Sequence, residues 1–307
     1  MSDPWAVDGI DPAWVQWIDV AGVRTRYLDV GNGPPLVLLH GGEIGSLYSL
    51  DGWSLVVPLL ARQFRVIAPD RVGQGHTANP PLPYRPDAML DHARAFMEAL
   101  DLRGAHVVGH SRGGLIATWL AQQIPERVAS VVVVDSRTLA PEDPRYPNDV
   151  FYERLGHRQR LLAGEVTEET VALEPFAQCF YSAAVTRSFL DRMLEIAHLP
   201  KSLESRHAIR ENRETVWLPE IYELRRNVLA GVDKAGVPVP TLVVWGLDDE
   251  SAPLPVGIDL LGRLAARTSH VEMHVLSRAR HYCFRDQPAA FSAAVASFCG
   301  RVVRPAG

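Results

Sequence analysis

Short apolar runs alternate with stretches of helical periodicity along most of this chain. These runs span four to seven mostly apolar residues, which is typical of strands buried in a sheet. They lie at 36–39, 64–68, 128–134, 241–245 and 271–276, with a further short run at 107–108. The helical patterns lie at 53–61, 89–100, 115–123, 256–266 and 289–298. This alternation predicts an α/β fold whose parallel strands are joined by right-handed crossovers.

The amino-terminal part has a different pattern. Residues 15–23 and 25–30 form two β-type runs separated by Ala21-Gly22. A short turn between two such runs predicts an antiparallel hairpin that opens the sheet.

The alternation stops after Ser136. From about 139 to 215 the chain is richer in charge and proline and has helical stretches without buried strands. We therefore expect an α/β core made of residues 1–138 and 216–307, and a largely helical cap made of residues 139–215. A cap over the strand ends would enclose a pocket and exclude water from it.

One motif stands between the run at 107–108 and the helix at 115–123. It reads Gly109-His110-Ser111-Arg112-Gly113, which is Gly-x-Ser-x-Gly. In a strand-turn-helix context this pattern places a serine on a tight bend with its hydroxyl exposed, and the two glycines leave room for the bend. Ser111 is the predicted nucleophile.

A second glycine-rich segment follows the run at 36–39 and reads His40-Gly41-Gly42-Glu43. We expect the backbone N–H groups of Gly42 and Arg112 to form an oxyanion hole. Such a donor stabilises a tetrahedral intermediate by about 3 kcal/mol.

A serine nucleophile needs a histidine base and an acid, which follow it in the order serine, acid, histidine when the motif is of this kind. Asp249 follows the run at 241–245 within Gly-x-x-Asp-x-x-x-Pro, and His281 follows the run at 271–276. Asp249 is the predicted acid and His281 the predicted base. Asp135 also ends a strand run and remains the alternative acid.

Composition narrows the function further. The net charge is −5 and the pI about 6.1, so there is no basic surface that predicts binding to nucleic acid. The 11 histidines and 3 cysteines follow no metal-binding spacing, so we expect no metal ion. We also expect no cofactor, because a serine activated by a histidine and an acid needs none. The amino terminus does not look like a signal peptide, and no apolar run approaches the roughly 18 residues of a membrane span. These features predict a cytoplasmic protein that acts on a small molecule, and they leave a homo-oligomer open.

Together these motifs make the chain resemble the α/β-hydrolase family over essentially its whole length. A narrower resemblance is to the meta-cleavage-product hydrolases, which split a carbon–carbon bond in ring-fission products of aromatic compounds. It lies in Gly52-Trp53-Ser54 and in the stretches at 60–68 and 180–186. The resemblance implies that Arg192 binds a substrate carboxylate, and that Gly41, His110 and Tyr282 lie beside the substrate.

The chain departs from that narrower family at several substrate-binding positions. His110 stands where asparagine is usual, Arg112 where methionine is usual, and Tyr282 where tryptophan is usual. Glu43 replaces the third glycine of the oxyanion loop, and Leu55 replaces an asparagine. We rank a ring-fission hydrolase slightly ahead of an ester or lactone hydrolase. A non-catalytic ligand receptor on the same fold is the alternative of another class.

Overall fold

A computed structural model describes residues 8–147 and 150–302. Its centre is an eight-stranded sheet. The strands are β1 Val15–Val20, β2 Val23–Val30, β3 Pro35–Leu39, β4 Arg65–Pro69, β5 Ala105–His110, β6 Val128–Val134, β7 Thr241–Gly246 and β8 Val271–Leu276.

The strands lie in the order β1-β2-β4-β3-β5-β6-β7-β8. β1 and β2 form the predicted antiparallel hairpin, and β2 is also antiparallel to β4. All other neighbours are parallel. The carboxyl ends of β3 and of β5 to β8 therefore meet at one edge of the sheet, and the loops that leave this edge carry the predicted site residues.

Helices surround the sheet. They are α1 Val57–Leu60, α2 Asp87–Ala99, α3 Arg112–Gln123, α4 Val150–Leu155, α5 His157–Leu162, α6 Glu168–Gln178, α7 Arg187–His198, α8 Pro200–Asn212, α9 Leu218–Ala235, α10 Leu254–Ala265, α11 Cys283–Asp286 and α12 Pro288–Arg301. A π-helical turn, Arg213–Trp217, joins α8 to α9.

In the central strands, consecutive apolar residues pack alternately on the two faces of the sheet. Val107 and Val131 pack into a core with Phe96 of α2, whereas Val108 and Val132 pack into a second core on the opposite face. Successive side chains of a strand point to opposite faces, so a strand covered on both sides needs an unbroken apolar run. This confirms the prediction of an α/β fold.

The predicted cap region lies between β6 and β7. Among its described residues there are helices α4 to α8 and no strand. α9, which follows, packs against α3, where the Gln122 side chain donates to the Val228 carbonyl at 3.1 Å. The division at 138/139 and 215/216 into core and cap stays a prediction.

One predicted element is shorter than expected. The helix expected at 53–61 is a 3₁₀ turn, Leu50–Trp53, followed by the four-residue helix α1. Pro58 lies in the first turn of α1, and because proline lacks an N–H, a helix begins there more readily than it passes through.

The described helices include none that is long and apolar enough to cross a lipid bilayer.

Candidate active site

Ser111 occupies a strained bend between β5 and α3. Its backbone has φ 53° and ψ −119°, a conformation that is rare for a residue with a side chain. A methyl group on Gly109 would lie 2.1 Å from the Gly113 carbonyl oxygen, and one on Gly113 would lie 2.2 Å from that of Leu39. The Ser111 N–H donates to the Val134 carbonyl at 2.8 Å. The bend therefore depends on both glycines, as the motif predicts.

His281 and Asp249 form a buried pair. Nδ1 of His281 lies 2.7 Å from Oδ2 of Asp249. The other oxygen of Asp249 accepts from the Ser251 N–H and hydroxyl at 2.8 Å and from the Ala252 N–H at 2.9 Å. Nε2 of His281 is buried and has no hydrogen-bond partner in the described part of the chain. The aspartate therefore fixes the ring orientation and leaves Nε2 available for proton transfer.

The electrostatics of this pair suit a base and its acid. Burial alone would lower the pKa of His281, but the Asp249 carboxylate reverses this effect and raises that pKa above its usual value. Burial alone would raise the pKa of Asp249, but His281 and the hydrogen bonds from Ser251 and Ala252 lower it. Asp249 is thus held as a carboxylate beside the His281 ring.

Asp135 is close to this pair but makes different contacts. Its Oδ1 accepts from the Gly246 N–H at 2.8 Å, and its side chain is fully buried. Burial, and then the nearby Asp249 charge, raise the pKa of Asp135 well above its usual value. The His281 ring is thus paired with Asp249. The Asp135 carboxylate instead accepts a hydrogen bond from the backbone of Gly246 at the end of β7.

Two side chains of the loop after β4 donate hydrogen bonds to the carbonyls of the predicted oxyanion loop, Gly41-Gly42. Nη2 of Arg71 donates to the carbonyls of Gly41 at 2.6 Å and Gly42 at 2.7 Å, and Gln74 donates to Gly41 at 3.1 Å. Gly42 has φ +84°, which favours glycine. Burial and the charge of Arg112 lower the pKa of Arg71 to about 9. The sequence of the loop after β4 gave no signal for this support, because the contact is made between segments that are 29 to 33 residues apart.

Gly41 and His110 lie beside Ser111. A methyl group on Gly41 would lie 2.9 Å from Cβ of Ser111, so glycine is required there for space. Nε2 of His110 lies 3.0 Å from the His281 carbonyl oxygen. Burial and the neighbouring His281 charge lower the pKa of His110 well below its usual value, which keeps the ring neutral. His110 thus contacts the backbone of the histidine loop.

Neither Arg192 nor Tyr282 lines the cavity that contains Ser111 and His281, so the prediction that they contact the substrate there is not supported by their positions. Arg192 is buried on α7, where it pairs with Glu195 and lies 3.9 Å from Asp51. The Tyr282 ring is buried within about 6 Å of the rings of Tyr48 and His110, at 5.7 and 5.6 Å between centroids. The Arg192 guanidinium is thus engaged by carboxylates of the protein, and the Tyr282 ring packs among aromatic side chains.

The cavity that Ser111 lines is partly open to solvent, and its volume is about 1150 Å³ when the solvent-filled mouth is included. It is lined by Ser111, His281, Gly42 and Arg112, together with side chains from the helices between β6 and β7. Two glutamates, Glu43 and Glu174, are the acidic residues among its described lining. The described lining also contains six arginines, namely Arg112, Arg137, Arg158, Arg206, Arg213 and Arg225.

Sequence reasoning missed this charged lining. It also missed the contacts of Glu174, whose carboxylate lies 3.0 Å from Nε2 of His157 and accepts from the Tyr48 hydroxyl at 3.1 Å. The contributing residues are spread over more than a hundred positions of the chain, and no local spacing connects them.

Comparisons with known proteins identify the family of the chain. The family model described as alpha/beta hydrolase fold matches residues 34–288. The chain is 28% identical to 2-hydroxy-6-oxo-6-(2'-aminophenyl)hexa-2,4-dienoic acid hydrolase of Metapseudomonas resinovorans, over 95% of this chain and 93% of that protein. It is also 28% identical to 2-hydroxymuconate semialdehyde hydrolase of Pseudomonas sp. strain CF600, over 92% of each chain.

A solved structure of a meta-cleavage product hydrolase from Pseudomonas fluorescens IP01 is also similar. It superposes with a TM-score of 0.73 at 26% identity, and the match covers 94% of this chain and 98% of that one. These relatives are named as hydrolases, which favours an enzyme over the non-catalytic receptor. The chain belongs to the α/β-hydrolase fold family, and the protein is a hydrolase that resembles the meta-cleavage-product hydrolases.

Proposed function

We propose that the protein is a cofactor-independent serine hydrolase that uses Ser111, His281 and Asp249 as its catalytic triad. The observation that carries the proposal is the His281–Asp249 contact of 2.7 Å, with Nε2 of His281 unpartnered among the described residues in the cavity that Ser111 also lines. A histidine base oriented by a buried carboxylate is the arrangement that activates a serine hydroxyl.

The reaction proceeds in two halves. Oγ of Ser111 attacks the substrate carbonyl while Nε2 of His281 takes the hydroxyl proton, and the N–H groups of Gly42 and Arg112 hold the oxyanion. The scissile bond breaks as His281 returns the proton to the leaving group. Water, activated by His281, then hydrolyses the acyl-serine.

The position of each donor supports the oxyanion role. Arg112 is the first residue of α3, so its N–H has no acceptor within the helix. The Gly42 carbonyl is fixed by Arg71, which sets the orientation of the loop. These groups are therefore preorganised before the substrate arrives.

The substrate we propose is a ring-fission dienoic acid, cleaved at a carbon–carbon bond beside a ketone. The named activities of the relatives support this class. An ester or lactone is the second candidate, and it is favoured by one observation: Arg192, which the resemblance assigns to a substrate carboxylate, pairs with Glu195 outside the main cavity.

Two measurements test the proposal. A fluorophosphonate should label the folded protein at Ser111 and leave the Ser111→Ala variant unlabelled; no labelling of the wild-type protein would refute the serine hydrolase. Dienoic ring-fission acids, aryl esters and macrolactones should then be compared for turnover. If esters or lactones are hydrolysed while the acids are untouched, the carbon–carbon assignment fails.

A further inference from the structure

The central sheet has an open edge at β8. This strand is the last in the sheet order, and its neighbour in the described sheet is β7. At the two ends of this pairing the Thr241 N–H donates to the His270 carbonyl and the Leu247 N–H donates to the Leu276 carbonyl. Successive residues of a strand direct their backbone groups to opposite sides, so the even-numbered residues from 270 to 276 face β7 and the odd-numbered residues face away.

Val271, Met273 and Val275 therefore direct their backbone N–H and C=O groups to the free side of β8. In the described part of the chain these N–H groups donate to no acceptor. Unpaired backbone groups along an edge form a template for another strand. β8 contains no proline or lysine, and its ladder with β7 has no bulge, so it has none of these common features that block such pairing.

One face of β8 is apolar, and α10 covers this face. Val271 and Met273 pack against the same core as the buried residues of α10. Val275 lies on this face as well, because side chains alternate along a strand, and it is 41% exposed. The apolar side chains of β8 thus reach the free edge of the sheet.

α10 extends this apolar surface. Leu254, Ile258 and Leu261 have the helical spacing i, i+4 and i+7, so they form one stripe, in which Ile258 is 51% exposed. The opposite flank of α10 faces α9, where Arg263 pairs with Asp233. The stripe therefore lies on the flank of α10 that is turned away from α9 and toward the free edge.

The other face of β8 is polar. Glu272 accepts hydrogen bonds from Arg301 of α12 at 2.7 and 2.6 Å. His274 lies on the same face two residues further along, is exposed, and has no hydrogen-bond or ion-pair partner among the described residues. The free edge thus carries an acidic and a basic side chain next to each other on this face.

A second copy of β8 fits this edge in one register. If two copies pair antiparallel about a two-fold axis at Met273, then Met273 opposes itself, Val271 opposes Val275 of the second copy, and Glu272 opposes His274 of the second copy. The outward-facing residues all take hydrogen-bonded positions, and the cross-strand partners match in chemistry on both faces. An axis one residue earlier or later sets Glu272 or His274 against itself, which is destabilising.

We propose that the β8 edge is a homodimer interface, in which two copies of this chain pair antiparallel about Met273 and the apolar flanks of their α10 helices meet beside the strands. The partner is a second copy because the edge is complementary to itself: apolar side chains oppose apolar ones on one face, and a carboxylate opposes an imidazole on the other. The dimer joins the two sheets into one and covers Ile258 and Val275.

Sedimentation equilibrium of the full chain tests the association. We expect a monomer–dimer equilibrium in the wild-type protein. Val275→Lys should raise the dimer Kd by about tenfold or more, because a lysine on an edge strand opposes pairing. Leu203→Lys is the matched control: Leu203 is another aliphatic side chain, 49% exposed, but it lies on α8 rather than at the sheet edge, so the Kd should not change.

Charge variants of His274 test the polar face. His274→Glu should raise the dimer Kd by about tenfold, because the two symmetric pairs with Glu272 each become pairs of like charge. His274→Lys keeps a basic group opposite Glu272 and should leave the dimer at least as stable as the wild-type dimer. His274 is exposed, so neither change disturbs the core of the subunit.

Engineered cysteines test the register. Residues opposed in a hydrogen-bonded antiparallel pair have Cα atoms about 5.5 Å apart, which is within the range of a disulfide. Met273→Cys should therefore form an intermolecular disulfide on oxidation. Val271→Cys and Val275→Cys should each fail to do so alone, because the like positions lie about 14 Å apart along the paired strands, but a mixture of these two variants should cross-link. The wild-type protein is the control, since its cysteines are buried.

The outcomes separate this interface from other kinds of association. A wild-type protein that is monomeric at every concentration measured would refute the dimer. A dimer that keeps its Kd in Val275→Lys and His274→Glu, and that gives no disulfide with Met273→Cys, associates through another surface and also refutes the proposal. Thermal unfolding shows whether each variant is folded; if Val275→Lys is not, the exposed His274→Glu and the cysteine cross-links decide.

Discussion

Two buried aspartates follow neighbouring strands, and their surroundings give them different charges. Asp249 has a lowered pKa because His281 and three hydrogen-bond donors favour its charged form, although burial opposes them. Asp135 has a raised pKa because burial and the Asp249 charge dominate. A carboxylate that orients the base must be charged, so these environments favour Asp249 for that role.

Replacing each aspartate by asparagine should separate the two roles. Asp249→Asn should lower kcat about 10⁴-fold, because an amide no longer stabilises the imidazolium or selects its tautomer. Asp135→Asn should cost less than about tenfold, because a neutral amide resembles a carboxyl group whose pKa is raised. Steady-state rates on one ester check both variants, and a larger loss for Asp135→Asn would reverse the assignment.

The pH profile follows from the His281–Asp249 contact. Only neutral His281 can act as base, so kcat/KM should rise with pH and reach half its maximum above the usual histidine pKa of 6.5. In Asp249→Asn the charge that raises this pKa is gone while burial remains, so the midpoint should move to lower pH. NMR titration of the His281 ring in both proteins measures the shift. An unchanged midpoint would contradict the ion pair.

At the level of elements, the bend at Ser111 depends on close contact between α3 and the sheet. α3 begins at Arg112, directly after the strained Ser111, and Gly113 touches the carbonyl of Leu39 at the end of β3. This contact brings Ser111 close to the loop of Gly41 and Gly42, since that loop follows β3. The strain at Ser111 is maintained by the fixed positions of two strands and a helix.

Gly113→Ala should therefore separate these elements. The added methyl group would meet a backbone oxygen at 2.2 Å, and we expect a loss of about 3 kcal/mol in unfolding free energy together with a large loss of turnover. Gly262→Ala is the control, because Gly262 lies in α10 with no neighbour within 4 Å of an added methyl group. It should stabilise the protein by up to about 1 kcal/mol. Urea unfolding of both variants tests the difference; equal stabilities would show that the contact at Gly113 can relax.

The elements that the sequence predicted best were those with a local cause. Unbroken apolar runs predicted the strands, and Gly-x-Ser-x-Gly predicted the bend that Ser111 occupies, because both depend on neighbours along the chain. The Asp249–His281 contact followed from motif order. The contacts of Glu43 with three arginines could not be predicted in this way, because residues 112, 158 and 213 meet only through the packing of helices on the sheet. Arg192 was assigned by resemblance alone, and the nearby Glu195 and Asp51 place it elsewhere.

At the scale of the whole molecule, the loop that carries His281 is bound to the chain between β6 and β7. The Tyr282 N–H donates to the Gln178 carbonyl at 3.0 Å, and Arg285 donates to the Ala184 carbonyl at 2.9 Å. Arg285 also donates to the Gly52 carbonyl at 3.0 Å, so it connects three distant segments. The position of His281 is therefore coupled to the segment at 178–184 by these hydrogen bonds.

Asp286 is the centre of this coupling. Its carboxylate accepts from the N–H groups of Phe180 and Tyr181 in one segment and of Arg280, the residue before His281, in the other, at 2.9 to 3.0 Å. In Asp286→Asn one oxygen becomes an amide group that cannot accept these bonds. We expect a loss of about 2 kcal/mol in unfolding free energy, because backbone donors lose a charged acceptor.

The same substitution should also lower kcat, because the backbone before His281 loses its anchor and the base is less precisely placed. Asp91→Asn, on the exposed face of α2, is the matched control and should change stability by less than about 0.5 kcal/mol. Thermal unfolding and turnover of the two variants are measured together. If Asp286→Asn lost stability but kept the wild-type kcat, these hydrogen bonds would support the fold without positioning the base, and the proposed coupling between the two segments and catalysis would be wrong.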